Sequence, residues 1–313
     1  MSQFLRLILT GLLLSGLLQP ALAKKLYSYQ DDSGRWHFSD TKPDVDQTVN
    51  VKRIKVHGRN KGVRVHRLGT RDKPVFQVQN LLAGPVEIEF QLIDGVNVIT
   101  EPSLPRSFVV DGGTSIKAFT LRHIDSSIPW KYRYSYRVVL GSPEAEHAPT
   151  ENYYRPYAHG KQYFVSQGFF GNYSHRSLQS QYAVDFAMPD GSAVHAARSG
   201  VVMDVARDFY NGGTDREKFG TRANYVRILH DDGTIALYAH LRWESVLVVP
   251  GDIVRRGQVI AKSGSTGFSS GPHLHFAIQK NDGMRLVSVP FVFKVADKAA
   301  PVTPRMGDLL TAD

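Results

Sequence analysis

Apolar and polar positions alternate with a period of two through most of this chain. Between residues 74 and 150, "PVFQVQNL", "PVEIEFQLI", "SIKAFTLRHI" and "KYRYSYRVVL" place apolar side chains at nearly every second position. Such alternation turns one face of a strand to a core and the other to water. Ala83-Gly84-Pro85, Asp94-Gly95 and Asp111-Gly112-Gly113 supply the turns between them. Short strands at this spacing predict a β-sandwich-like middle domain over 74–150. After a polar and aromatic connector, residues 155–295 are again strand-rich, with "AVHAARSGVVMDVA", "NYVRILHDDGTIALYAHL", "SVLVVPGDIVRRGQVIAKSG" and "HLHFAIQ". Asp231-Asp232-Gly233-Thr234 reads there as a hairpin turn. Long helices find no place after Ala23, and no repeat of fixed period is visible. The fold class expected is mostly β.

The ends read differently. Residues 1–23 carry one early charge, Arg6, an apolar run from about Leu7 to Leu18, and Ala21-Leu22-Ala23. This is the pattern of a signal peptide cleaved after Ala23, and the run is short of the roughly 20 residues of a spanning helix. No other stretch is apolar enough to cross a bilayer. Residues 24–50 predict a small β module: Leu26–Tyr29 and Arg35–Phe38 flank the turn residues "DDSG". Residues 51–73 form a basic linker or sheet edge, in which nine Lys and Arg residues from Lys52 to Lys73 face a single acid, Asp72. Residues 296–313 are expected to be a C-terminal tail.

Composition narrows the class. A chain of 313 residues with 42% hydrophobic and 11% aromatic residues can bury a core and divides into about two domains. A formal charge of +9 on an exported protein points to anionic envelope polymers or lipid head groups, met through the basic segment, and not to nucleic acid. The absence of cysteine excludes disulfides, a thiol nucleophile and a lipid-modified cysteine anchor.

The candidate chemistry lies in the 12 histidines and one aspartate. In "GPHLHF", His273 and His275 are two apart and share a face of a strand. That pair suits a metal site, a catalytic pair, or two neighbouring polar residues. His240 ends a strand, in phase with Tyr238 and Ala236. His175 precedes Asp185 by ten residues. Imidazole nitrogen and carboxylate oxygen are the ligand types of zinc, and a catalytic zinc takes three protein ligands and one open position. No H-E-x-x-H helix occurs, so histidine is the available acid or base. His37, His123, His147, His159, His195 and His230 read as structural or peripheral.

"SQGFFGNYSH", "YAVDFAMPDGSAVHAARSGVV", "GTIALYAHL" and "VPGDIVRRGQVIAKSGSTGFSSGPHLHF" together resemble the lysostaphin/LytM-type zinc metallopeptidases that cut peptidoglycan cross-links. The resemblance covers about residues 155–295 and implies a duplicated hybrid motif catalytic domain. It implies one zinc per chain held by His175, Asp185 and His275. His240 and His273 would be the catalytic histidines, activating water and steadying the oxyanion. Tyr182 and Tyr238 are candidates for orienting substrate. One departure stands out: the commonest family pattern, H-x-x-x-D, puts a ligand at position 181, which here is Gln181. His175, at the longer H-x9-D spacing, takes its place. The hairpin module resembles a small N-terminal module of unknown function found on exported bacterial proteins. The family and the compartment, a Gram-negative periplasm, imply a cross-link between D-alanine and diaminopimelate. A wall-binding module or activator of other murein hydrolases on the same fold is the other function these features allow.

Overall fold

The alternating stretches do form strands, and the pairing order shows which faces meet. The structure, a computed structural model, describes residues 24–34, 36–39, 43–54, 62–294 and 300–312. The proposed signal peptide lies outside the described residues, as do residues 55–61 of the basic segment. The chain divides into two units, residues 1–59 and 60–313. Among the described residues, no helix is long and apolar enough to cross a membrane.

The first unit is a three-stranded antiparallel sheet. Lys24–Gln30 lies between Trp36–Ser39 and Asn50–Ile54. The hairpin closes as expected: Gly34 donates to Asp31 O at 2.8 Å with φ of +79°, a conformation glycine adopts without strain. His37 stacks on Tyr29 and bonds Asp31, a local structural role.

In the second unit, Val63–Gly69, Pro74–Asn80, Ser115–His123 and Val98–Glu101 form one sheet, in that order. Lys131–Leu140, Val86–Val96 and Arg106–Val110 form another. Pro74–Asn80 alternates buried and half-buried positions along its whole length. Phe76, Phe90 and Phe119 join the two sheets, with Phe76 stacked on Phe119 at 4.5 Å. Each such side chain contributes about 1.5–3 kcal/mol on full burial.

The basic segment therefore splits. Its start pairs within the first unit, and Val63–Gly69 is an edge strand of the sandwich with Arg64 and Arg67 exposed. Sequence pattern joined these because charge, which is continuous there, masked the change of partner.

The C-terminal region is built on a nine-stranded antiparallel sheet. Its main path runs Ile253–Val254, Gly200–Ala206, Tyr225–Leu229, Ile235–Ala239, Leu274–Asn281, Val184–Phe186, Gln162–Gln167, Leu309–Thr311. The expected tail is thus part of the sheet: Leu309–Thr311 pairs with Gln162–Gln167, and the Tyr157 hydroxyl donates to Leu310 O at 2.7 Å. The one helix among the described residues is the four-residue Arg216–Phe219.

Sandwich and C-terminal sheet share a buried junction. Met203 and Ile235 sit in the sandwich core cluster. The Glu87 carboxylate, 6% exposed, accepts from Asn281 Nδ2 and from the Met284 backbone N–H, both at 2.8 Å. A buried carboxylate persists where such donors replace water.

Candidate metal centre

The centre of the sheet places the candidate ligands. Val184–Phe186 pairs with Leu274–Asn281 so that Asp185 lies directly opposite His275. On the other side of Leu274–Asn281, His275 faces Ala239, the last residue of Ile235–Ala239. His240 follows at once, with φ of +61°. That left-handed residue breaks the strand's alternation and turns the imidazole into a cleft.

His175 arrives from a loop of successive turns between Gln167 and Ala183. Its backbone N–H donates to Gly171 O at 3.0 Å. Its Nδ1 lies 2.8 Å from Gly168 O. A carbonyl only accepts, so Nδ1 carries a proton, and Nε2 points to Asp185 Oδ1 at 3.2 Å. The His275 Nδ1 reaches the same oxygen at 2.8 Å. The second Asp185 oxygen accepts from Gln167 Nε2 at 2.8 Å. Gln167 is itself fixed, its Oε1 accepting from the N–H groups of Tyr173 and Ser174.

His175, Asp185 and His275 present ligand atoms all within 4.8 Å of one another. Tetrahedral ligands about 2.0–2.2 Å from a zinc lie roughly 3.3–3.6 Å apart. The donor types, the spacing and the partners behind Asp185 and His175 fit a metal ion. Burial opposes the charge on Asp185, but the hydrogen bonds from His175 and His275 outweigh it and hold the carboxyl well below its ordinary range. Burial also disfavours charge on both rings; for His175 the bond to Asp185 prevails and its affinity for protons rises, whereas for His275 burial prevails and it falls. The two rings thus share Asp185 unequally.

His240 and His273 stand beside this cluster, their ring centroids 4.5 Å apart, and His240 is 5.8 Å from His275. Each directs Nδ1 to a backbone carbonyl: Thr266 O at 2.7 Å for His240, Gly271 O at 2.8 Å for His273. Nε2 of each is left as an acceptor. Burial, then the neighbouring His273 and His275, push the His240 pKa down to about 3, so this ring is neutral at ordinary pH. Thr266 is in turn held by Asn224 N–H and Leu241 O.

All five residues but His175 line one cleft of about 750 Å³, whose walls also carry Gln167, Tyr173, Arg216, Phe268 and Met306. No sandwich residue lines it. Tyr238 and Tyr182 do not line it either. Tyr238 is fully buried, and its hydroxyl accepts from Ala197 N–H at 2.8 Å. Tyr182 packs edge-on against Phe169 and Phe170. The sequence phase that grouped Tyr238 with His240 ends at the positive φ of His240 itself. Gln167 and Thr266 escaped sequence reading because their roles depend on pairings across the fold. Gln167 did leave one signal: a polar residue in phase with the apolar Val165.

Residues 179–286 match the family model described as Peptidase family M23, and residues 13–64 match a domain of unknown function, DUF4124. The M23 match contains Asp185, His240, His273 and His275 and begins four residues after His175. Lysostaphin of Staphylococcus simulans is 40% identical over 96 residues, which are 30% of this chain and 17% of that protein. Peptidoglycan DD-endopeptidase ShyB of Vibrio cholerae is 38% identical over 94 residues, 30% of this chain and 19% of that protein. The chain thus spans about a fifth of the length of these curated relatives. Among solved structures, the catalytic domain of lysostaphin from S. simulans is 30% identical, covering 38% of this chain and 78% of that one with a TM-score of 0.27. Residues 179–286 of this chain thus carry the match to a peptidase family M23 domain.

Proposed function

We propose that this chain is a zinc-dependent endopeptidase of the bacterial envelope that hydrolyses peptide cross-links of peptidoglycan, at the bond between D-alanine and diaminopimelate. One observation carries the reading: Asp185 and His275 of a three-donor cluster line one cleft with two histidines whose Nε2 atoms are free. His175 Nε2, Asp185 Oδ1 and His275 Nδ1 would hold the zinc. When bound, zinc lowers the pKa of water to near neutrality and polarises a carbonyl.

The chain's own residues then do the following. Gln167 keeps one Asp185 oxygen engaged, so that the other faces the cluster. The Thr266 and Gly271 carbonyls keep the protons of His240 and His273 on Nδ1. Each Nε2 begins as an acceptor, suited to take a proton from the attacking water. Once protonated, the same Nε2 is a donor, to the developing oxyanion or to the departing amine. Both transfers fit one site because the rings are 4.5 Å apart.

Export to a Gram-negative periplasm, with cleavage after Ala23, belongs to this proposal. So does contact of the basic edge strand Val63–Gly69 with anionic envelope polymers or lipid head groups.

The test is digestion of purified peptidoglycan by the full, zinc-loaded chain, with mass analysis of the products. Wild type is expected to bind about one zinc and to release peptides cut at the cross-link. His273→Ala is expected to keep the zinc and lose about 10²–10⁴-fold in rate. Zinc-loaded wild type that releases no such peptide refutes the enzyme and favours a wall-binding module or activator.

A further inference from the structure

One wall of the cleft carries a cation with no assigned task. Arg216 is exposed, and its guanidinium carbon lies 4.2 Å over the ring of Phe268. Phe268 in turn stacks on Tyr173 at 5.8 Å with 13° between the planes. All three line the cleft together with His240, His273 and His275. Among the described residues lining it, Arg216 is the one permanent cation and Asp185 the one carboxylate. Asp185 belongs to the metal cluster. The remaining walls are mostly serine, glycine and small polar groups.

The position of Arg216 is built by the fold. Gly212–Gly213 pairs in parallel with Gly267–Phe268, which ties the arginine-bearing segment to the loop that ends at His273. A Cβ on Gly212 would lie 1.9 Å from Ser265 O, so this contact requires glycine. Phe219 is buried against Gly213 and anchors the short turn of helix that begins at Arg216. The adjacent Asp215 caps this turn, its carboxylate accepting from the Lys218 N–H. Among the described residues no ion pair forms with Arg216. Stacking on an aromatic ring fixes the plane of a guanidinium and leaves its N–H fork for an anion.

We infer that Arg216 binds a carboxylate of the substrate, and that the cleft selects cross-links whose amine half carries a free carboxylate beside the scissile amide. This rests on the cross-link peptidase reading above. In a D-alanine–diaminopimelate link, the carbon bonded to the scissile nitrogen bears such a carboxylate. In an oligoglycine bridge it bears only hydrogen and the next amide. A planar arginine fork matches the two oxygens of a carboxylate, and a neutral amide in their place forfeits one bond and the charge.

The experiment compares two soluble cross-linked muropeptides, identical except that this carboxylate is free in one and amidated in the other. Zinc-loaded wild type is expected to prefer the free acid by about 10- to 100-fold in kcat/KM, mostly through KM. In Arg216→Ala the ratio is expected to fall to near one, and Arg216→Lys retains part of it. Zinc content and melting temperature of each variant report folding. Equal rates on both substrates by wild type overturn the inference and leave the peptidase reading standing. So does a ratio that Arg216→Ala leaves intact. Wild type that cuts neither substrate overturns both.

Discussion

At the scale of single residues, the site is a set of chemically ordinary groups, four of which have one atom tied to the protein behind them. His175 and Asp185 each use one atom toward the cluster and the other toward the protein. Gln167 is the hub of that arrangement, linking Asp185 to the loop that carries His175. Gln167→Ala is expected to weaken zinc binding about 10- to 100-fold, as read by competition with a chelator. Unchanged affinity would show that the Asp185 orientation does not depend on this bond. Asp185, His240, His273 and His275 were legible in the sequence because their motifs are local. Gln167 and Arg216 were not, because each acts on a residue of another strand or loop. Tyr238 was grouped with His240 by strand phase, but it lies inside the strand and is fully buried, while His240 lies beyond the strand's end.

At the scale of elements, period-two patterning located the strands well and their partners poorly. The four stretches that alternation marked in the sandwich are strands, whereas the short Val98–Glu101 and Arg106–Val110 were not marked. The basic run from Lys52 to Lys73 looked like one segment and serves two sheets. The C-terminal residues looked like a tail because a three-residue strand is too short to show a period. Yet Leu310 is buried, and the strand is locked by Val165 N–H to Asp308 O at 2.8 Å and Gly307 N–H to Val165 O at 3.0 Å. Leu310→Ala is therefore expected to cost about 2 kcal/mol in urea unfolding, near the lower end for buried leucine because it lies on an edge strand. A loss below about 0.5 kcal/mol would place the segment outside the cooperative fold.

At the scale of the second unit, residues 60–313, the sandwich and the peptidase domain share one interior. Met203 and Ile235 complete the sandwich core, and Glu87 satisfies Asn281 and Met284 across the junction. The two parts are expected to unfold in one transition, followed separately through Trp130 in the sandwich and Trp243 in the peptidase domain. Glu87→Ala leaves two buried donors short of an acceptor and is expected to lower stability by about 2–3 kcal/mol. Two well-separated wild-type transitions would show that the junction is not part of a common core. No sandwich residue lines the cleft, so this union does not narrow it.

The strand Leu274–Asn281 belongs to both ends of that arrangement. His275, near its start, faces the metal cluster, while Asn281, at its end, is held by the sandwich. The peptidase domain is consequently a poor module for transplantation. Cut free at its sequence boundary, it would carry an apolar scar at Met203 and Ile235 and an untethered strand running back to the reaction centre. Grafting this domain onto another scaffold calls for moving the sandwich with it, or for re-facing that surface with polar residues.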